Sequence, residues 1–121
     1  MGTWAKKQMK QMNSAISRIT EIYAQWAKLK GISYSMLMVL YSSLDENGYV
    51  KIEQSEKNKK EKNISFTEKG KIFANDILYG ICRIEEKVIE SMGEKTSSKF
   101  VENFMYYCNR FEDIFIEETK K

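Results

Sequence analysis

The stretch LDENGYVKIEQSEKNKKEKNISFTEKG, residues 44–70, decides how the fold of this chain reads. Asp45-Glu46-Asn47-Gly48 is a turn or an Asn/Gly helix cap that ends whatever precedes it. Beyond it Val50 and Ile52 alternate with Lys51 and Glu53, and Ile64 and Phe66 flank Ser65. Period-two alternation of this kind predicts two short half-buried strands. Between them SEKNKKEK, residues 55–62, holds four lysines, two glutamates and no apolar side chain, so the segment reads as a β-hairpin with a basic tip. Thr67 then stands where a cap would open a new helix.

On either side the period changes to that of helices. From about Thr3 to Leu29, Met9, Met12, Ile16, Ile19, Tyr23 and Trp26 recur at spacings of three and four, a heptad-type seam that Ile22 and Leu29 widen. Gly31 is placed to stop this helix and Ser33 to cap the next. Residues 34–44 are apolar almost all round, with Leu37, Leu40, Tyr41 and Leu44 at helical spacing, which predicts a buried helix; periodicity alone leaves a strand open. After Thr67 a long helix is expected to about Met92, with Phe73, Ile77, Ile81, Ile84 and Val88 as its stripe and Gly93 as its end. A last helix is expected from near Thr96–Ser98 to about Glu118, carrying Phe100, Phe104, Tyr107, Phe111 and Ile114, with Val101, Met105, Cys108 and Phe115 as a second row.

Composition limits the chemistry. At 121 residues with 42% hydrophobic and 31% charged side chains, the chain has the size of one domain able to bury a core. It has no histidine, which removes the usual general base and the commonest zinc ligand. Its six glycines are scattered and build no phosphate-cradling loop. No catalytic site, metal or cofactor is expected. Cys82 and Cys108 sit singly in apolar helical patterns and read as small buried side chains of a reducing compartment. MGTWAKKQMKQMNS lacks the apolar core of a secretory signal, and no apolar run reaches 18 residues, so a cytoplasmic protein without a membrane span is expected.

The long seams of the first and last helices exceed what one small chain covers. They predict a homodimer in which Met9, Met12, Ile16, Ile19, Tyr23, Phe100, Phe104, Tyr107, Phe111 and Ile114 form the interface. An intramolecular helical core is the alternative. Charge is uneven as well: residues 1–30 carry six basic and one acidic side chain, residues 71–121 eight basic and ten acidic. That asymmetry favours pairing of the two ends as much as attraction to nucleic acid.

The run KNKKEKNISFTEKG, residues 57–70, resembles the wing and following helix of MarR-family transcriptional regulators, in which an x-L-T-x-x-G element follows a basic wing; here it stands as Ser65-Phe66-Thr67-Glu68-Lys69-Gly70. YAQWAKLKGISYSMLMVLYSSL, residues 23–44, is similar to the family's first two helices. The resemblance implies a mainly α fold with a small β-hairpin, a winged-helix-derived homodimer with helices 1–30 and 95–121 at the interface. Residues 33–92 would then be a DNA-binding lobe, with wing 49–66 and linking helix 68–92. It also implies DNA contacts from the wing lysines Lys57, Lys59, Lys60 and Lys62, and a pocket for a small aromatic ligand lined by Tyr23, Trp26, Tyr34 and Tyr41.

Two departures qualify that implication. Leu44–Gly48 leads straight into Tyr49-Val50-Lys51, leaving no residues for the helix-turn-helix that reads the major groove. Ser55 and Lys57 stand where family wings carry Asp-x-Arg, and lysine lacks the planar fork of arginine. Wing lysines alone give weak, salt-sensitive, sequence-blind contact with phosphates. The expected function is a MarR-like dimeric regulator with reduced or lost sequence-specific DNA binding. The alternatives are a dimerisation-only antagonist that forms mixed dimers with a full-length relative, and an engineered or incomplete version of an intact repressor. Loss of the reading helices would also uncover Leu37, Leu40 and Leu44, which favours higher association.

Overall fold

The computed structural model describes residues 2–43 and 68–120. They form four helices: α1 (Thr3–Leu29), α2 (Tyr34–Ser42), α3 (Glu68–Met92) and α4 (Glu94–Thr119). Among the described residues there is no strand, so the mainly α fold with a β-hairpin and a winged-helix wing is corrected to an all-helical one. The segment assigned to the hairpin, 49–66, with Lys57, Lys59, Lys60 and Lys62, lies outside the described residues, as do Leu44 and the Thr67 cap. No helix among the described residues is long and apolar enough to cross a membrane.

The chain divides into two compact units, residues 1–81 and 82–121. In the first, α1 ends where its sequence stops supporting a helix. Gly31 takes φ +75°, the left-handed region that favours glycine. The Gly31 amide donates to the Lys28 carbonyl (3.1 Å) and the Ile32 amide to the Ala27 carbonyl (3.0 Å). This pair of bonds is a Schellman motif and satisfies carbonyls that the helix end would otherwise leave bare. Two residues on, the Ser33 hydroxyl accepts the Met36 amide (3.0 Å) and opens α2. The tight link sets α2 against α1, and α2 is a helix rather than a strand.

The core of this unit is Ala27, Leu37, Leu40, Ala74, Ile77, Leu78 and Ile81, with Tyr23, Trp26, Ile32, Met38 and Tyr41 half-buried against it. Leu37 and Leu40, which loss of the reading helices was expected to uncover, are buried in one cluster with residues of α1 and α3. The buried face of α3 differs from its expected stripe. Ile77 and Ile81 are in it, but Phe73, Ile84 and Val88 are exposed, and the small Ala74 and Leu78 take the inward places. The larger ring of Phe73 stays outside while Ala74 is buried, since cores fill volume rather than maximise hydrophobicity.

Trp26 fixes that approach. Its Nε1–H donates to the Ile77 carbonyl (3.2 Å). Its six-membered ring lies over Gly80, where an added Cβ would meet Cζ2 at 2.5 Å and Cη2 at 2.7 Å. Mid-helix glycine costs about 1 kcal/mol against alanine; here the missing methyl is the space the indole occupies. The Lys30 ammonium sits 4.7 Å from the centroid of the same ring. Tyr23 and Tyr41 meet edge to face, centroids 5.8 Å apart, and tie α1 to α2.

In the second unit Gly93, at φ +84°, separates the last turns of α3 from α4, and its carbonyl accepts the Ser97 amide (3.0 Å). Helix α4 begins at Glu94, a few residues earlier than its sequence pattern suggests, because glycine supplies the turn unaided.

A Gly80→Ala substitution is expected to lower stability by about 1–2 kcal/mol through overpacking against the indole. In a Trp26→Ala background the same change should raise stability by roughly 0.5–1 kcal/mol, the helix-propensity gain alone. Urea midpoints of the four chains check this; the same sign in both backgrounds would show that the ring does not occupy the glycine's space.

Candidate interaction surface

The largest chemical feature of the described residues is apolar surface on α1 and α4. Ala27 is the one buried residue of α1, and Ser97 the one buried residue of α4. Of the ten residues expected at an interface, Met9, Ile16, Ile19, Phe100, Phe104, Phe111 and Ile114 are exposed, while Met12, Tyr23 and Tyr107 are half-buried. Phe111 keeps 59% of its surface in solvent and Phe104 38%. Val101, Met105, Phe115 and Ile116 extend the exposed face of α4, and Trp4 (71% exposed), Ile22 and Leu29 that of α1. Scattered exposed apolar residues are ordinary, but contiguous ones in long rows mark contact surfaces.

The row on α4 is ordered by its own neighbours. Phe100 and Phe104 have centroids 5.6 Å apart, Phe104 and Tyr107 6.2 Å, and Tyr107 and Phe111 5.8 Å. These rings stand three and four residues apart, so they share one face of the helix and form a continuous aromatic ladder. Rings already held by each other lose little rotamer freedom when a partner covers them. Shallow apolar grooves flank Phe111 and Phe115; Arg110, Ile114 and Glu118 line one, Cys108 and Glu112 the other, and Tyr107 borders both. The Arg110 guanidinium reaches Asp113 at 3.8 Å across solvent, a pair that contributes little.

Four aromatics were expected to line a ligand pocket. The structure brings Tyr23, Trp26 and Tyr41 together against the core and leaves Tyr34 38% exposed on the first turn of α2. The bond of Trp26 to Ile77 and its place over Gly80 were not foreseen. A glycine in the middle of an otherwise strong helical pattern was the available signal.

Both cysteines are free and half-buried rather than buried. Burial pushes the Cys82 thiol above its ordinary range, and Glu85 adds to this by charge and by hydrogen bonding, with a further push from Glu86. Such a thiol is less nucleophilic at neutral pH than a free one. No cluster of three or more metal-ligating side chains occurs among the described residues.

In a Cys108→Ser chain, alkylation of Cys82 should reach its half-maximal rate at a pH above the ordinary thiol value of about 8.5. Glu85→Gln should lower that midpoint. An unchanged midpoint would remove the carboxylate as a cause.

No family model, curated protein or solved structure matches this chain. What it does is therefore read from its surface chemistry.

Proposed function

We propose that the chain is a non-catalytic, cytoplasmic dimerisation protein of the MarR-like regulator type, with sequence-specific DNA binding reduced or lost. The observation that carries the reading is the aromatic ladder from Phe100 to Phe111, solvent-exposed over most of its length on a helix with one buried residue among those described. A second copy is the partner that the heptad spacing of α1 and α4 fits, because both seams repeat at the interval that two helices need to interdigitate. Burying large aromatic side chains is also what gives protein interfaces most of their free energy.

The regulatory part of the reading rests on the resemblance of residues 23–44, and its reduced DNA affinity on a sequence that passes from Gly48 directly to Tyr49 with no residues for a reading helix. Basic charge is nonetheless concentrated on α1, with five basic side chains against one acidic. Any contact with nucleic acid would then be with phosphates and would fade with salt.

Sedimentation equilibrium is expected to give a concentration-dependent monomer–dimer distribution. Phe104→Glu and Phe111→Glu should each weaken the dimer by about 2 kcal/mol, roughly 30-fold in Kd, while helicity is retained. A wild-type chain that remains monomeric at every concentration would sink the proposal. Duplex DNA titrated in parallel should bind weakly at low salt and not at physiological salt; tight, salt-resistant binding to particular fragments would show that sequence reading is intact.

A further inference from the structure

The exposed face of α4 has a middle line as well as an edge. At about 100° per residue, its apolar side chains cover roughly 200° of the circumference, from Ile114 round to Ile116. Val101, Phe104, Cys108, Phe111 and Phe115 run down the centre of that arc at spacings of three and four. Phe100, Tyr107 and Ile114 lie on one flank, Met105 and Ile116 on the other. Along the centre, Val101, Phe104, Cys108 and Phe111 alternate small, large, small, large. The dip at Cys108 is a shallow groove in the structure, with Tyr107, Phe111, Glu112 and Phe115 around it.

Two helices that share a seam keep their axes about 8–10 Å apart along it, so each layer of facing side chains needs a similar total volume. A parallel second α4 sets like on like. Phe104 would face Phe104 and Phe111 face Phe111, with Val101 and Cys108 facing their own copies between them, so that crowded layers alternate with gaps. An antiparallel one can slide until Val101 faces Phe111 and Phe104 faces Cys108, each pair made twice by the twofold axis. All four layers then hold one large and one small side chain, the condition for interdigitation without voids. The row on α1 has no such alternation. Met9, Met12, Ile16 and Ile19 are of similar size, and against α4 they would crowd at each ring and leave a gap at each small residue. Charge agrees with the antiparallel sense: residues 94–106 carry two basic and two acidic side chains, residues 107–119 one basic and four acidic. Parallel helices would lay the two acidic halves together, and antiparallel ones keep them at opposite ends.

We infer that α4 is covered by the α4 of a second copy, antiparallel, with the twofold axis level with Tyr106 and each copy's Phe104 seated in the other's groove at Cys108. The inference rests on the dimer reading and specifies its contact. In this register the flanks fit as well: Tyr107 meets its own copy beside the axis, and Phe100 comes opposite Ile114. The rings of the ladder supply the apolar area, and the small residues between them set direction and register.

Two measurements test this, one of layers and one of direction. By sedimentation equilibrium, Phe104→Cys and Cys108→Phe should each raise Kd about tenfold, the first by leaving voids and the second by crowding. An equimolar mixture of these two chains should pair to within a few-fold of wild type, because both layers regain one ring and one small side chain. Spin labels at Tyr106→Cys and, separately, at Glu117→Cys, each in a chain with Cys82→Ser and Cys108→Ser, read the direction by double electron–electron resonance. Antiparallel helices centred on Tyr106 give separations of about 20 Å at the first position and about 40 Å at the second, from the helical rise of about 1.5 Å per residue. A mixture no tighter than either chain alone, or equal separations at the two positions, would overturn the antiparallel seam and leave the dimer standing. A wild-type chain that never dimerises would overturn both.

Discussion

The indole of Trp26 occupies the space that Gly80 leaves, and the first unit depends on that fit. The ring reaches across only because α3 carries no side chain at this point, and its N–H finds a carbonyl on the same helix three residues earlier. Around this contact Ala27 of α1, Leu37 and Leu40 of α2 and Ala74 of α3 are buried in the same core. A contact of this type is specific in a way that general hydrophobic packing is not: it requires one aromatic, one glycine and one hydrogen bond in register. The Schellman turn at Gly31 and the Ser33 cap complete it by delivering α2 to the same core.

Much of this was legible in the residues. The bounds of α1, the stop at Gly31, the Ser33 cap and the end of α3 at Met92 followed from glycine, serine and the spacing of apolar side chains, signals that act locally. The buried face of α3 was not legible, because Phe73, Ala74, Ile77 and Leu78 all fit a helical stripe and only the neighbouring helix selects among them. The indole–glycine contact was hidden for the same reason, since the two residues stand far apart in sequence. Alternation around residues 50–52 and 64–66 predicted strands, whereas the described residues form four helices and no strand, and the segment in question lies outside them. The rows on α1 and α4 were plain in the sequence; their exposure within the chain needed the structure.

The two units differ in how their helices are held. The first has a core of seven buried residues, hydrogen-bonded turns and a tryptophan lock. In the second, the described residues of α4 bury only Ser97, although the helix is 26 residues long and carries more aromatic rings than any other. Helices in water are marginal when nothing covers their apolar face, since propagation adds little per residue and most helical stability in proteins comes from packing. Ring pairs three and four residues apart help, by a few tenths of a kcal/mol each. They do not replace a core.

On the proposed dimer reading, the stability of α4 and its contact with a second copy are one equilibrium. Anything that covers the Phe100–Phe111 ladder binds the helical state in preference to the unwound one, and so stabilises it by mass action. On that reading, order in the second unit would rise with the concentration of the copy that covers the ladder.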